Sequence, residues 1–319
     1  MREEIREPFK PTRLDSLQDG TGFRAPTLTD LWTPQTLGTS EQFNDPLTGQ
    51  KNLQVNALSG GNPNLKPEKS QQGSLGMVFQ PAGGVSLGFD FFSVKIKDAI
   101  NSPSAQEVVS GFRAGNPTYA KSVKLSPTGD IDAIEILLVN SGEINAQGMD
   151  VDARWRVPLG GGRLDFGLVG TYFSKYDETG PSGVVSKKVG TIVDANGDPV
   201  LGANTGGVIL KWKHTISATY TVDGWGFTLA NNYATGYETG WRQIDDERNF
   251  MKSLSLWDAS VGYDGIKGLR MLLGVKNLAD KNPPGTFVPV SNQFQAGYDV
   301  TQYDARARTV YLQAAYKFF

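Results

Sequence analysis

The 319-residue sequence predicts an all-β fold: a transmembrane antiparallel β-barrel wall of about ten strands. Three observations predict it. Long segments carry an apolar side chain at every second position, short and long connections alternate between them, and aromatic residues lie near both ends of an apolar face. Strands of this kind are only half apolar, so a chain can cross a membrane without an apolar run of helix length.

Nine segments follow the alternation to the last residue. In chain order they are QGSLGMVF, VSLGFDFFSVKIK, NAQGMDVDARWRV, RLDFGLVGTYF, LKWKHTISATYTV, WGFTLANNY, LWDASVGYD, LRMLLGVKN and RTVYLQAAYKFF. In the second of them the apolar positions change phase, from Phe89 and Phe91 to Phe92, Val94 and Ile96. Most of the segments exceed the usual 5 or 6 residues of a globular strand and match the roughly 9 to 11 needed to cross a bilayer.

The third segment shows what each face contains. Because side chains alternate across a strand, Met149, Val151 and Trp155 point one way while charged residues point the other. The charged set is Asp150, Asp152, Arg154 and Arg156. We interpret it as a neutralising ladder in a wet lumen rather than as a catalytic acid/base pair.

The connections fall into two classes that alternate along the chain. Tight turns PAGG, PLGGG, DG and GIKG alternate with long gaps at 98–144, 177–208, 238–253 and 279–307. Glycine and proline suit two-to-five-residue hairpins, whereas loops beyond about 12–15 residues usually carry function. The pattern predicts periplasmic turns at one end and extracellular loops at the other.

Aromatic placement agrees with a bilayer. Trp212 and Tyr220 share the apolar face of LKWKHTISATYTV, and eight residues of tilted strand span on the order of 20 Å, near the separation of two aromatic girdles. His214 falls in the apolar band between them and is interpreted as structural, since a neutral imidazole is tolerable there.

Composition and motifs exclude other classes of protein. The net charge of −2 offers no footprint for nucleic acid, and the absence of cysteine excludes disulfides and thiolate metal sites. No catalytic constellation, cofactor motif or metal site is predicted, so the protein is not expected to be an enzyme. DANGDP (residues 194–199) is interpreted as a turn in an extracellular loop, and DDE (245–247) as a solvated loop tip.

Three further motifs carry a family resemblance. GTGFRAPTLTDLW (20–32), GNPNLKPEKS (61–70) and GVKNLADKNPP (274–284) resemble the barrel of TonB-dependent outer-membrane receptors, as does the terminal RARTVYLQAAYKFF. The resemblance runs from Gly20 to Phe319. Proline fixes φ and favours extended backbone before it, so these motifs are interpreted as architectural.

The resemblance implies a location and an activity. Such receptors have a 22-stranded barrel in the outer membrane of Gram-negative cells and an N-terminal plug domain that engages the TonB complex. They import scarce nutrients, most often a ferric siderophore, otherwise cobalamin, haem or an oligosaccharide. On this basis the chain is the C-terminal part of such a barrel, with plug and TonB box absent, and it is not expected to transport alone.

The domain prediction follows from the first strand. KPTRLDSLQDGTGF is poorly patterned, because Arg13 and Asp15 share one face with Leu17. We therefore expect residues 1–18 to be an atypical segment, truncated or with a non-native start, and residues 19–319 to be barrel. The first ten residues also lack the apolar core of a secretory signal.

Candidate functional residues come from the long loops and from the C-terminus. Aromatic and arginine side chains commonly anchor recognition sites, so the candidate ligand contacts are Tyr237, Trp241, Arg242, Tyr298, Tyr303 and Arg306. Phe318 and Phe319 are candidates for the C-terminal signal that the barrel assembly machinery recognises. Outer-membrane lipid is the expected environment of the apolar faces.

Two alternatives stay open at this point. One is a self-contained ten-stranded outer-membrane barrel acting as an enzyme or adhesin, which would need its first strand to pair with its last. The other is a soluble all-β binding protein, in which the apolar faces would pack against each other.

Overall fold

The computed structural model describes residues 12–180, 183, 185–193, 208–241, 248–285 and 297–318. The strands in chain order are β1 (Thr12–Arg24), β2 (Thr36–Thr39), β3 (Asn56–Gly60), β4 (Glu68–Gln80), β5 (Val85–Asn101), β6 (Val123–Leu125), β7 (Ile131–Leu137), β8 (Val139–Leu159), β9 (Gly162–Thr179), β10 (Val185–Lys187), β11 (Trp212–Val222), β12 (Trp225–Ala234), β13 (Tyr237–Trp241), β14 (Arg248–Met251), β15 (Leu254–Ile266), β16 (Leu269–Lys276) and β17 (Thr309–Tyr316). The helices are α1 (Leu28–Trp32) and α2 (Ala105–Arg113), with a 3₁₀ turn at Pro117–Tyr119. No helix within these ranges is long and apolar enough to cross a bilayer.

One large antiparallel sheet forms the body of the chain. Its strand order is β1-β4-β5-β8-β9-β11-β12-β15-β16-β17, with the short β10 paired beside β9. These ten strands follow one another as a meander, in which tight turns alternate with the long connections that carry the remaining elements. The predicted all-β class, the strand number and the alternation of connections are all confirmed.

The strand register assembles the alternating segments into one continuous apolar face. Directly opposed residues in a sheet lie on the same side, so each row of partners can be followed across the wall. One row is Leu75, Phe91, Met149, Tyr172 and Trp212. A second row is Trp155, Phe166, Ala218, Leu229, Ala259, Val275 and Val310. The neighbouring row, of Asp152, Val169, Thr215, Asn232 and Leu256, lies on the other side, here called the polar face.

The apolar face has no protein layer against it in the described part of the chain. Leu75, Trp225 and Leu312 expose 53, 44 and 75% of their surface. Soluble monomers rarely leave a contiguous apolar surface of this size in water, because apolar area in water is unfavourable. The structure therefore contradicts the soluble alternative, in which two such faces would have packed together.

Aromatic side chains mark both ends of the apolar face. Tyr220 donates hydrogen bonds to the carbonyls of Leu159 and Gly160 in a tight turn, at 3.1 and 3.2 Å. At the opposite end of β11 the indole of Trp212 donates to His214 Nδ1 at 2.7 Å, and the imidazole stacks on Tyr233.

Three strands are longer than the sequence predicted. β5, β8 and β9 have 17, 21 and 18 residues, more than a membrane crossing needs, so they project beyond the bilayer at the long-loop end. The predicted gaps at 98–144 and 177–208 were therefore too wide. In β5 the pairing with β4 and β8 is unbroken through the predicted change of phase, so Phe92, Val94 and Ile96 lie on the polar face.

The poorly patterned first strand is nevertheless a strand. β1 pairs with β4 in unbroken register, which places Arg13 and Asp15 on the apolar face opposite Phe79 and Met77. Their side chains form an ion pair at 2.9 Å. The strand runs without a break across residues 18 and 19, and a domain boundary there stays a prediction.

The first two long loops fold together into a small module, here called the loop module. It contains a mixed sheet of order β2-β3-β7-β6 packed against α2. Ser104 and Glu107 form a capping box that starts α2, and Val108 and Val109 are fully buried in its core. Sequence reasoning had left most of this region unassigned.

A buried ion pair fixes the module. Arg113 donates to both carboxylate oxygens of Asp45, at 3.1 and 2.7 Å, and the Asp45 side chain is fully buried. Burial acts to raise the pKa of Asp45, but hydrogen bonds from Arg113 and from the Leu47 amide outweigh burial and hold that pKa below its ordinary value.

Candidate ligand-binding site at the loop end

The motifs that carry the resemblance contact one another at the loop end of the wall. Arg24 donates to both carboxylate oxygens of Glu68 at 2.7 Å, which joins GFRAP to NPNLKPE. Asn62 donates to the Leu138 carbonyl at 2.8 Å and ties the same segment to the strand beside it. These contacts fix loop exits and support the architectural interpretation of the two motifs.

The third motif has the same role. Asn277 is buried and has φ +52°. Its side-chain amide exchanges two hydrogen bonds with the backbone of Lys281, and its backbone N–H donates to Asp258 at 2.8 Å. A left-handed backbone is uncommon outside glycine and most tolerable for asparagine and aspartate, which explains the residue type.

The other three long loops share one apolar cluster, here called the tyrosine cluster. Its buried members are Ile192, Val193, Val208, Leu210, Tyr237, Met251 and Tyr303, with Ala234, Leu254 and Tyr298 packed against them. The members come from the β10–β11, β12–β15 and β16–β17 connections. Burial of these side chains in one core holds the three loops together over the polar face.

A hydrogen bond between Tyr237 and Asp299 crosses the tyrosine cluster. The phenol of Tyr237 donates to one oxygen of Asp299, and the other oxygen accepts from the amide and hydroxyl of Thr301 at 2.9 and 2.6 Å. Burial, followed by the hydrogen bond to Asp299, raises the pKa of Tyr237 far above its ordinary value. Burial also raises the pKa of Tyr303 to about 12. Both phenols are therefore neutral at physiological pH and can act as donors.

A cleft of about 400 Å³ lies beneath the tyrosine cluster, against the polar face. Strand residues Lys213, Thr215 and Asn232 line one side, and Gln302 and Tyr303 reach it from the last long loop. Thr215 donates to Asn232 at 2.8 Å, and Asn232 donates to Asp258 at 2.9 Å. The carboxylate of Asp304 also lines the cleft, so charges of both signs lie there beside amides, hydroxyls and an aromatic residue, which suits a polar, oxygen-rich ligand.

The predicted ligand contacts have different environments. Tyr237 and Tyr303 are buried in the tyrosine cluster and Tyr298 packs against it, so these three come together. Arg306 is exposed and pairs with Asp304, with Nε 2.7 Å from the carboxylate. Trp241 ends β13. Arg242, together with DANGDP and DDE, lies outside the described residues.

Sequence reasoning missed the groups that accompany these tyrosines. Asp299 was not selected, although the structure buries it. Lys213, Thr215 and Asn232 were not selected either. The alternation of side chains could have identified them. Residues that share the polar face and lie near the long-loop end must line the space beneath the loops.

The charged ladder lies on the polar face, as predicted. Asp165 accepts from Arg156 and Arg163, both at 2.7 Å, and Asp152 pairs with Arg154 at 3.1 Å. Arg156, Arg163 and Asp165 lie near the tight-turn end of the wall, whereas Asp152 lies in the row of Val169 and Thr215. These are surface ion pairs, which contribute little to stability.

One of the two candidate residues for the assembly signal, Phe318, is accessible. Phe318 is 76% exposed and its ring meets that of Tyr316 edge to face. Phe319 lies outside the described residues.

The fold and the site define a class of protein. A meander of long strands with one lipid-compatible face, tight turns at one end, and folded loops over a polar face at the other is the wall of an outer-membrane β-barrel of the receptor type. The chain belongs to the TonB-dependent receptor-like β-barrel family, whose sequence model matches residues 19–278. This family comprises receptors and transporters of the outer membrane, which confirms the recognition and the predicted location.

Solved structures agree on the fold. The ferric enterobactin receptor PfeA of Pseudomonas aeruginosa matches with TM-score 0.61 and 16% identity, over 95% of this chain and 38% of that one. The siderophore receptor PirA of Acinetobacter baumannii matches with TM-score 0.59 and 17% identity, over 95 and 39%. The outer membrane transporter YddB of Escherichia coli matches with TM-score 0.52 and 12% identity, over 82 and 34%.

The chain thus spans well under half the length of the receptors that it matches. No curated protein matches its sequence.

Proposed function

We propose that this chain forms the C-terminal part of the barrel wall of an outer-membrane receptor that imports a scarce nutrient with energy from the TonB complex. The observation that supports this proposal most directly is the cleft between the polar face and the tyrosine cluster, where Lys213 lies with hydroxyl and amide groups and the carboxylate of Asp304. A ferric siderophore is the first candidate ligand, because its chelating oxygens leave an anionic surface. Cobalamin, haem and an oligosaccharide are the others.

The proposal implies several partners. Lipid meets the apolar face, the barrel assembly machinery reads Phe318 and Phe319, and the TonB complex acts through an N-terminal plug. Tyr237, Trp241, Arg242, Tyr298, Tyr303 and Arg306 stay candidate ligand contacts. Binding and import, rather than catalysis, is the activity that we infer.

The open sheet also bears on transport. Within the described residues β1 and β17 each pair on one side only, so these ten strands do not close by themselves. This disfavours a self-contained ten-stranded barrel acting as an enzyme or adhesin. Unpaired strand edges cannot face hydrocarbon without cost, so further strands must complete the wall, and the chain alone should not transport.

A binding titration tests the ligand class. The full chain, refolded in detergent, is titrated with a ferric catecholate, a ferric hydroxamate, cobalamin, haem and maltohexaose while tryptophan fluorescence is followed. We expect one ferric siderophore to bind, and K213Q to weaken it at least tenfold. The control K267Q removes a lysine at the tight-turn end and should leave binding unchanged. Binding only of maltohexaose, or of nothing, would contradict the proposal.

An uptake assay tests whether the chain alone can transport. Iron-55 uptake with the bound siderophore is measured in a host that lacks its own receptors and expresses the full chain. We expect uptake no greater than in the empty host. Uptake above that background would show that the chain transports alone.

A further inference from the structure

On the lipid-facing side of the wall, lysines replace apolar residues between the last apolar row and the long loops. That row contains Leu75, Phe91, Met149 and Tyr172. Continuing toward the long loops on the same side, the strands β4, β5, β9 and β10 present lysines instead. These are Lys69, Lys95, Lys97, Lys175 and Lys187, here called the outward lysine patch.

The assignment of these lysines to the outer side follows from register. Lys69 is directly opposite Lys97, and Lys95 is opposite Asn145, which in turn is opposite Asp177. Lys187 is also opposite Asp177. Each lysine is thus an even number of paired positions from the apolar row, so it shares that side of the sheet.

The acidic groups on this side do not balance the patch. Glu143 lies 2.8 Å from Lys95 and Asp177 lies 3.4 Å from Lys175. Five lysines against these two carboxylates and Asp19 leave a net charge of +2 on this side. Lys69, Lys97 and Lys187 form no ion pair among the described residues, although Lys97 is directly opposite Glu143 and Lys187 is directly opposite Asp177. Asp19, on the same side at the β1 edge, is opposite Gly73 rather than a lysine.

The opposition of Lys69 and Lys97 is unfavourable within the protein itself. Like charges directly opposite across two strands destabilise a sheet, since their Cβ atoms are only about 5 Å apart. An anion held between the two ammonium groups would remove this repulsion and bring favourable charge-assisted hydrogen bonds. Both side chains are exposed and can reach such a group.

The position of the patch specifies the source of the anion. Lys175 and Lys95 stand two and four paired positions beyond the last apolar row, which is on the order of 5 to 10 Å along the barrel axis for tilted strands. Headgroups occupy this depth, and lysine stems can lie along apolar surface while their charges reach it. Gln71, Asn145 and Gln147 lie among the lysines and offer amide groups to neutral sugar hydroxyls.

We propose that the outward lysine patch binds a phosphorylated glycolipid of the outer leaflet. Its phosphates lie between Lys69, Lys97 and Lys95, and its acyl chains run down over Phe91 and Leu75. This site is separate from the cleft on the polar face, since it lies on the opposite side of the sheet. It rests on the membrane orientation of the wall and not on any particular nutrient.

The test compares lipids that differ only in phosphate. The full chain in detergent is titrated with bis-phosphorylated lipid A, with the same lipid after removal of both phosphates, and with inorganic phosphate as competitor. We expect the phosphorylated lipid to bind at least tenfold more tightly than the dephosphorylated one. Millimolar inorganic phosphate should not displace it, because the acyl chains contribute to binding.

Lysine substitutions test whether the preference for the phosphorylated lipid arises from the outward lysine patch. K69Q/K97Q should lose the preference for the phosphorylated lipid, whereas K69R/K97R should keep it because the charges are retained. K267Q/K317Q removes two lysines at the tight-turn end and should also keep it. Equal heat-modifiable migration on gels checks that all variants fold alike. An unchanged preference in K69Q/K97Q, no preference in the parent chain, or full displacement by inorganic phosphate would overturn the proposal.

Discussion

Tyr237 and Tyr303 lie in the same cluster but have different polar environments. The hydroxyl of Tyr237 donates to Asp299, while that of Tyr303 is buried without a hydrogen-bond partner among the described residues. A buried polar group that loses its partner costs free energy, whereas an unsatisfied hydroxyl can be removed at no cost. The two residues therefore form a matched pair for mutation.

The variant Y237F should loosen the three loops. Loss of the Tyr237 hydroxyl leaves the buried Asp299 carboxylate without one hydrogen-bond donor, which lowers the stability of the folded loops by about 1–3 kcal/mol. Thermolysin cleavage within the loops at pH 7 should be faster than in the parent chain. Y303F is the control and should be cleaved no faster than the parent. Equal rates for Y237F and the parent would show that the hydrogen bond does not hold the loops.

The buried pair of the loop module gives a second prediction. D45N leaves Arg113 buried and unpaired, which typically costs about 3–5 kcal/mol. Hydrogen exchange of the α2 amides should accelerate strongly in D45N. The exposed pair of Arg306 and Asp304 supplies the comparison, since D304N removes a solvent-screened ion pair and should leave the exchange of the α2 amides unchanged. Similar effects of the two variants would contradict the role assigned to Asp45.

At the scale of one strand, adjacent residues of β11 meet different surroundings. Ile216 lies on the apolar face opposite Leu168, and Thr215 lies on the polar face opposite Asn232. An arginine on the lipid side of a barrel costs about 2–4 kcal/mol near the midplane, whereas the lumen side tolerates charge.

Folding into lipid vesicles distinguishes the two positions. We expect I216R to lower the folding yield and the urea midpoint, while T215R leaves both near those of the parent chain. The urea titration of vesicle-bound protein provides the measurement. A larger loss in T215R would reverse the assignment of the faces.

The strands were predictable because alternation is local, but their ends were not. Beyond the bilayer the outer side of β5 carries Lys95 and Lys97 while Val94 and Ile96 turn inward, so the pattern inverts although the strand continues. The start of α2 is encoded by Ser104 and Glu107, yet its burial depends on partners distant in sequence, such as Phe43. Residue type led to Tyr237 and Tyr303, but the burial of Asp299 is a property of three loops together.

For the whole molecule, the central claim is that one face of the wall touches hydrocarbon and the other faces water. The continuous apolar rows, their exposure, and the tyrosine cluster over the polar face support it. The fold, the location and the ligand site all depend on this orientation, as does the outward lysine patch.

The chain has no cysteine, so single cysteines can report the orientation directly. Spin labels are placed at successive positions from 213 to 220 of β11 in the full chain inserted in vesicles. Their collisions with oxygen, which concentrates in lipid, and with a water-soluble nickel chelate are then measured. We predict oxygen contact at positions 214, 216, 218 and 220, and nickel contact at the positions between them. Protection of the first set from both reagents would reveal a dry protein interior and contradict the account.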